Sequence, residues 1–451
     1  MDARQLADRI CAVLRDAGHQ AYLVGGCVRD IELGRQPKDF DVATDARPER
    51  VQELFAGSVD VGAAFGVILV IDAESGAKVE VATFRSDLGY SDGRRPDAVE
   101  FAKTAEEDVR RRDFTINGLL RDPRDGRVID YVGGLADLRA GIIRAIGDPV
   151  ERFREDKLRM LRAARFAARF DYKIDEATFA AIREHPEEIA AVSAERVRDE
   201  LTRILTEGGA RRGFELLEEC GLLEQVLPEV ARMRGVEQPP EFHPEGDVWK
   251  HTLLLLGMLP AGASATLAWG ALLHDVGKPP TFAPPSGPGG RIRFDGHVEV
   301  GTSMAKEIAR RLRFSGEETD QVAMLVAQHL RFIDVFEMRT ATLKRFVRQP
   351  HFEEHMALHR MDCLASHGKL DAYEFVRKFV EETPPEAVRP PRLVTGDDLK
   401  SLGLPPGPAY RQIIEAVEEA QLEGRLSTRE QALQFARERC EASQRLAVGD
   451  A

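Results

Sequence analysis

The stretch YLVGGCVRDIELGRQPKDFDVAT, residues 22–44, constrains this chain most. A short apolar run ends in two glycines, a helical string closes on Gly34, and a second strand carries two aspartates one residue apart. Strand, tight turn, helix and strand in that order belong to an α/β domain. Side chains alternate across a strand, so Asp39 and Asp41 are expected on one face. Two carboxylates there repel each other unless a cation lies between them. Carboxylate oxygens suit Mg2+, which binds through one or two carboxylates together with substrate phosphates. Gly25 and Gly26 end the first strand and open the helix, where backbone N–H groups can approach a phosphate. The stretch reads as a site for a nucleoside triphosphate and its metals. A later strand, KVEVATF, adds Glu80, with Val79 and Val81 on the opposite face.

The rest of the chain divides around this nucleus. Helix and strand signals alternate up to about Gly147, and the pattern is helical from there on. Pro and Gly clusters at 235–246 and 382–391 read as linkers, and 283–290 as a loop. The expected domains are a head (1–146), a helical neck (147–234), a His-rich helical domain (248–385) and a helical tail (392–451). A length of 451 residues fits two to four domains, and 43% hydrophobic residues suffice for ordinary cores. The net charge of -13 argues weakly against a nucleic-acid partner, but charge is segregated: arginines outnumber acids from Arg110 to Arg169. Cys11, Cys27, Cys220, Cys363 and Cys440 form no CxxC pair and read as free thiols of a reducing cytoplasm. The N-terminus is charged and amphipathic, unlike a signal peptide. Thr252–Leu273 carries no formal charge and is long enough for a bilayer, but Pro260 and its polar flanks favour two buried helices.

Two further strings carry chemistry. RRDFTING (111–118) offers arginines to triphosphate charge, and an Asp and an Asn that can bond ribose hydroxyls. In RFREDKLRMLRAARFAARF (152–170), Arg159, Arg162, Arg165 and Arg169 share one helical face, with Leu158 and Leu161 on the buried one. A solvated basic face is the alternative for the later arginines, and a capped surface helix explains RRDFTING equally well. Asp156 and Arg159, three apart on a helix, can set a carboxylate beside a guanidinium. Cytosine and adenine present an amino donor beside a ring-nitrogen acceptor; guanine and uracil present the reverse. Such a pair accepts C and A and rejects G and U.

These motifs resemble the nucleotidyltransferase superfamily of polymerase-β type, and more closely the class II CCA-adding tRNA nucleotidyltransferases and bacterial poly(A) polymerases. The likeness runs nearly continuously to about residue 205. It implies an α/β nucleotidyltransferase head with a mixed sheet, followed by an all-α neck. It assigns Asp39 and Asp41 to the catalytic Mg2+ ions and Glu80 to the third carboxylate. It places Gly25, Gly26, Arg29, Arg112, Asp113 and Asn117 at the nucleotide, with Glu155, Asp156, Arg159, Arg162 and Arg165 in and after the base-reading EDxxR motif. In the family a flexible loop at the position of 85–101 helps the switch from C to A addition, and CC-only enzymes lack it. SAERVRDELTRIL (193–205) matches a neck helix whose charges read as a surface face, and DYVGGLADL (130–138) a turn with structural glycines.

Nine of the 11 histidines lie between His243 and His367. The adjacent His274–Asp275 in LLHDVGKP, with His251 before it and Asp362 after it, can enclose a divalent metal. This resembles the HD-superfamily metal phosphohydrolases, an all-α domain. His297 and His329 match the extra histidines of its two-metal members, and Lys278 is a candidate to face a phosphate. The implied metal is divalent, a transition metal included. Some relatives of this architecture remove 2′-phosphates or open 2′,3′-cyclic phosphates. The tail (392–451) reads as a docking helix, or as a Gly-Pro turn cradling RNA phosphates.

The resemblance implies addition of C, C and A to tRNA 3′ ends from CTP and ATP, in the cytoplasm, by a monomer or homodimer with no membrane partner. A poly(A) polymerase or an A-only enzyme stays open beside it. So does a reading of another class, an HD phosphohydrolase whose head merely binds RNA, against which the set Asp39, Asp41, Asp156 and Arg159 argues.

Overall fold

A computed structural model describes all residues except 63–65, 89–97, 287–288, 404–406 and 450–451. The core of the loop at 85–101 therefore lies outside the described residues. The chain separates into two compact units. One comprises Met1–Val236, Thr252–Trp269 and Glu307–Ser315; the other Glu237–His251, Gly270–Lys306 and Gly316–Ala451.

The first unit opens with α1 (Ala3–Asp16), started by a capping box between Asp2 and Gln5. Its strands are β1 (Ala21–Val24), β2 (Asp41–Thr44), β3 (Ser58–Gly62), β4 (Val67–Ile71), β5 (Lys78–Thr83), β6 (Arg85–Leu88), β7 (Ala98–Phe101), β8 (Leu119–Arg121) and β9 (Val128–Asp130). Seven of them form one sheet in the order β3-β4-β5-β2-β1-β8-β9, and β6 pairs with β7 apart. The β2–β5 pair is parallel and the others are antiparallel, so the sheet is mixed, as expected. The expected hairpin of GVILVID with KVEVATF is β4–β5. In β5 Val79 and Val81 are buried while Lys78 and Glu80 are exposed, which follows from period-two alternation over a single apolar face.

Helix α2 (Gly26–Glu32) follows β1 directly. Gly25 turns the chain at φ 74 and ψ -130, a conformation open to glycine and costly to other residues. A Cβ there would also stand 3.3 Å from Arg112 Nη1. Gly134 is fixed by space instead, since a Cβ would lie 2.2 Å from the Thr115 carbonyl oxygen. The expected structural role of the 130–138 glycines is met at that position.

The next helices are α3 (Pro48–Leu54), α4 (Ala105–Arg110) and α5 (Gly134–Ala140) within residues 1–146, and α6 (Pro149–Glu155), α7 (Leu158–Phe170), α8 (Glu176–Glu184) and α9 (Ala194–Thr206) beyond them. The expected single helix over 152–170 is broken. Asp156 leaves helical geometry at φ -144 and ψ 102, and its carboxylate accepts the Leu158 N–H at 3.1 Å, which caps the new start.

The second unit is helical and includes the tail. Phe332, Leu343, Phe346, Phe352 and Val376 form one core, and Val394, Leu399, Ile413, Val417 and Ala432 another. Tail helix Pro408–Leu422 docks through Arg348–Glu418 at 2.8 Å and Lys344 Nζ to the Leu422 carbonyl at 2.8 Å. Thr252–Leu273 is indeed interrupted, between helices Val248–Met258 and Ala265–Leu273. Among the described residues no helix is long and apolar enough to cross a membrane. The five cysteines are buried and unpaired.

Candidate active site and metal centre

Asp41 opens β2, and its register partner on parallel β5 is Glu80, so the two carboxylates stand side by side. Asp39 lies in the extended stretch just before β2 and is exposed. Burial pushes the Asp41 carboxyl up to about 6, the Glu80 and Asp39 charges push the same way, and Arg112 opposes them. A divalent cation among these oxygens would relieve that repulsion, which is the fit a Mg2+ site requires.

Beside Asp41 lies a cleft of about 480 Å³. Its lining includes Gly25, Gly26, Arg29, Arg111, Arg112, Asp113, Asn117, Asp156, Arg159, Arg162, Arg165, Arg196 and Arg203. Eleven of the expected head residues thus meet at one concavity, counting Asp41 and excluding Asp39, Glu80 and Glu155. The Gly25 N–H is already committed, to the Leu119 carbonyl at 3.1 Å.

Hydrogen bonds string these groups together. Arg29 gives Nη1 to Asn117 Oδ1 at 2.7 Å and Nη2 to Asp30 at 2.7 Å, and packs 4.6 Å from the Phe170 ring centroid. Asn117 gives Nδ2 to Asp113 Oδ1 at 3.1 Å, and Asp113 Oδ2 accepts Arg162 Nη2 at 2.6 Å. Burial alone would raise the Asp113 carboxyl, but Arg162 and Asn117 more than offset it and bring it to about 2. Arg112 and Arg111 share the buried Asp108, at 2.9 and 2.7 Å.

The expected pair of Asp156 with Arg159 has other partners here. Asp156 Oδ2 accepts Arg196 Nη2 at 2.8 Å. Arg159 gives Nη1 to Glu155 at 2.7 Å and Nη2 to the Arg111 carbonyl at 2.9 Å. The reason is the break at Asp156, which removes the i,i+3 geometry of a continuous helix. Nor are the later arginines a solvated stripe: Arg165 is buried, with Nε 2.6 Å from Glu200, and shares Glu207 with Arg169.

Sequence reasoning passed over Asp108, Arg196 and Glu200. For Glu200 a signal existed. It sits three residues after Val197 and four before Ile204, on the apolar face of α9, and is 3% exposed.

The second cluster lies in the helical unit. His251 Nε2 is 3.1 Å from Asp362 Oδ1 and 3.3 Å from His274 Nε2. His274 Nε2 is 3.2 Å from Asp275 Oδ2. The other Asp275 oxygen lies 3.9 Å from His297 Nε2 and 3.8 Å from His329 Nε2. The six expected residues therefore form two groups, His251–His274–Asp362 and Asp275–His297–His329, each able to hold a metal ion. The His297 and His329 Nε2 atoms are buried without a hydrogen-bond partner, which fits ligands aimed at a cation. Burial raises Asp275, but Lys278 and His274 hold it well below the usual carboxylate range, and His251 does the same for Asp362. Burial lowers His251, yet Asp362 and Glu245 outweigh it and take the imidazole up to about 9. A metal there must displace that proton.

Lys278, expected to face a phosphate, is instead buried between Asp275 Oδ2 at 2.7 Å and Gln238 Oε1 at 2.6 Å.

Fold and sites together define a nucleotidyltransferase head, a helical neck and an HD domain. The poly A polymerase head domain family matches residues 21–144, the probable RNA and SrmB-binding site of polymerase A matches 171–233, and the HD domain family matches 248–365. The CCA-adding enzyme of Lactobacillus helveticus is 40% identical over 251 residues, 55% of this chain and 62% of that one. That of Latilactobacillus sakei is 40% identical over 266 residues, 58% of this chain and 66% of that one. The chain thus spans somewhat under two thirds of the curated relatives it matches. The crystal structure of the Bacillus stearothermophilus CCA-adding enzyme in complex with CTP matches at TM-score 0.73 and 26% identity over 98% of both chains. Segments of the chain thus match, in order, the poly A polymerase head, RNA-binding and HD domain families, and the chain is similar to CCA-adding enzymes over 55–58% of its length.

Proposed function

We propose that this chain adds C, C and A to the 3′ ends of tRNA from CTP and ATP. The carrying observation is that Asp41, the register partner of Glu80 and under the charge of Asp39, lines an arginine-rich cleft. The likeness over nearly the whole chain to an enzyme solved with CTP supports it. Asp39, Asp41 and Glu80 hold Mg2+ in this reading, and Mg2+ supplies the charge that aligns the 3′-hydroxyl with the α-phosphate and shields the pyrophosphate. Arg112 meets the triphosphate, while Asp113 and Asn117 face the ribose, with Arg29 and Arg162 holding their side chains in place. Arg159 and Asp156 read the base edge. For Asp156 that requires the Arg196 bond to yield or to be shared. The domain limits 1–146, 147–234, 248–385 and 392–451 are part of this proposal.

The test offers tRNA transcripts lacking the CCA end, ending in CC and ending in CCA, each with a single nucleoside triphosphate. C incorporation on the first and A on the second is expected. A alone on every substrate makes it a poly(A) polymerase, the reading that the head-domain family name favours. A on the CC end alone makes it an A-only enzyme. No incorporation leaves an HD phosphohydrolase with an RNA-binding head.

The HD cluster is proposed as a phosphohydrolase centre for RNA 2′-phosphate or 2′,3′-cyclic phosphate ends, holding divalent metal through His251, His274, Asp275 and Asp362, with His297 and His329 on a second ion. Such ends block a 3′-terminal ribose, so their removal would prepare the substrate of the head. Release of phosphate from 2′-phosphorylated RNA is the measurement.

A further inference from the structure

Four imidazole rings of the HD cluster present Nε2 to its carboxylates, and what fixes each ring differs. His274, His297 and His329 direct Nδ1 to the carbonyl three residues earlier: Ala271 at 2.9 Å, Phe294 at 2.9 Å and Val326 at 2.7 Å. Ala271 and Val326 lie in the last turns of their helices, where the ladder leaves carbonyls to spare, and Phe294 precedes one. His251 stands instead in the first turn of Val248–Met258, where the carbonyl three residues back belongs to the helix's own ladder. Its Nδ1 turns to a side chain, Glu245 Oε1 at 2.7 Å. The same oxygen meets His243 Nδ1 at 2.9 Å, and the Glu245 side chain is only 8% exposed. Glu245 lies in the Pro- and Gly-rich stretch 235–246 that the sequence offers as a linker.

We propose that Glu245 is a positioning residue for the His251–His274–Asp362 half of the metal centre, keeping the His251 proton on Nδ1 so that Nε2 remains the donor to a divalent metal. The proposal rests on the reading of this cluster as a metal centre. A carboxylate on the far nitrogen of a ligating imidazole fixes both tautomer and ring orientation. His243, on the same oxygen, limits rotation of the carboxylate. The other half, Asp275–His297–His329, takes its ring orientation from the backbone and needs no such residue.

The test uses the full chain, stripped with chelator and titrated with Co2+, reading bound ions and the d–d absorption. The parent should bind two ions. Glu245→Ala should weaken one of them by about 10–100-fold, the usual cost of losing such a partner, and leave the other as it was. Glu245→Gln keeps an oxygen acceptor and should stay within about tenfold of the parent. Glu245→Leu fills the volume without an acceptor and carries the alanine expectation if that variant unfolds. A merely structural role would lower the unfolding temperature of the metal-free protein and leave the Co2+ spectrum of the folded fraction unchanged, which overturns the proposal. Unchanged binding of both ions by the alanine and leucine variants also overturns it, while the metal centre stands. A parent that binds no Co2+ removes the metal centre itself, and this role with it.

Discussion

The cleft of the head and the cluster of the helical domain solve the same problem, holding polar groups ready for a ligand, with different materials. The cleft holds charged side chains with other charged side chains: Arg162 on Asp113, Arg112 on Asp108, Arg196 on Asp156. The cluster fixes most of its rings on backbone carbonyls. Side-chain pairs can part and re-form around successive substrates, whereas a backbone acceptor cannot move without its helix. The contrast suits a cleft proposed to take two bases in turn and a centre proposed to keep its metals.

The largest expected effect separates the two sites. Asp41→Ala should cut nucleotide addition on the order of 10³-fold or more, because a preorganised charge at the reacting phosphate is lost. The same variant should leave phosphate release from 2′-phosphorylated RNA unchanged. Asp275→Ala should do the reverse: it removes a carboxylate facing both groups of ligands, so metal content and phosphate release fall while CCA addition stands. If either variant abolishes both activities, the sites are not independent.

Next in size is a stability effect confined to the cleft. Glu200 and Arg165 are both buried and 2.6 Å apart. Glu200→Ala leaves the buried Arg165 guanidinium with Glu207 alone, which it shares with Arg169, and should cost about 3 kcal/mol in denaturant unfolding, the low end for a broken buried pair. A loss below about 1 kcal/mol would mean the pair is solvated like a surface bridge.

How far the sequence could foresee all this differs between the two regions for a physical reason. The candidate site of the head is written in short strings, because near neighbours in the chain stay near in space: Asp39 just before Asp41, Arg112 with Asp113 and Asn117. What lay hidden there depended on tertiary fit. Asp108 looks like an ordinary surface acid until the arginines it holds are placed, and the place of Glu200 on an apolar helix face shows that it is buried but not which arginine it holds. The break at Asp156 was equally illegible, since nothing in REDKLR forbids a continuous helix. The candidate metal cluster was legible from the His274–Asp275 doublet and four more distant residues, but its supporting shell was not. Prolines made 235–246 look like a linker, and proline says only that the chain is extended, not where it goes. The partner of Lys278 stayed hidden for the same reason, because Gln238 lies in that stretch.

A smaller effect concerns selectivity in the cleft. Asp156→Ala should relax discrimination against UTP and GTP by about 1–3 kcal/mol, the usual worth of a two-point contact to a base edge. Triphosphate affinity should change less, as the phosphate contacts belong to other residues. A variant that rejects UTP and GTP as the parent does would show that the base is read elsewhere, and Arg196 would be the first place to look.

The smallest effect sharpens the comparison from within the helical unit, where not every histidine has the polar support that the proposed ligands have. His355 is 2% exposed, its Nε2 is buried without a partner, and its ring lies near that of Phe352. Burial lowers its imidazole to about 4, with Glu354 and Glu353 pulling weakly the other way. The sign follows from linkage. Between the ordinary value of 6.5 and about 4, the unfolded chain takes up a proton that the folded chain refuses, so stability falls as pH falls through that window. One pH unit below 6.5 the loss from this residue should be about 1 kcal/mol. His355→Leu removes the proton acceptor and should flatten the pH dependence of urea unfolding between pH 6.5 and 5.5 by that amount, with little change at pH 8. Parallel curves for parent and variant would mean that His355 is protonated in the folded chain, and that it finds a partner as the proposed ligand histidines do.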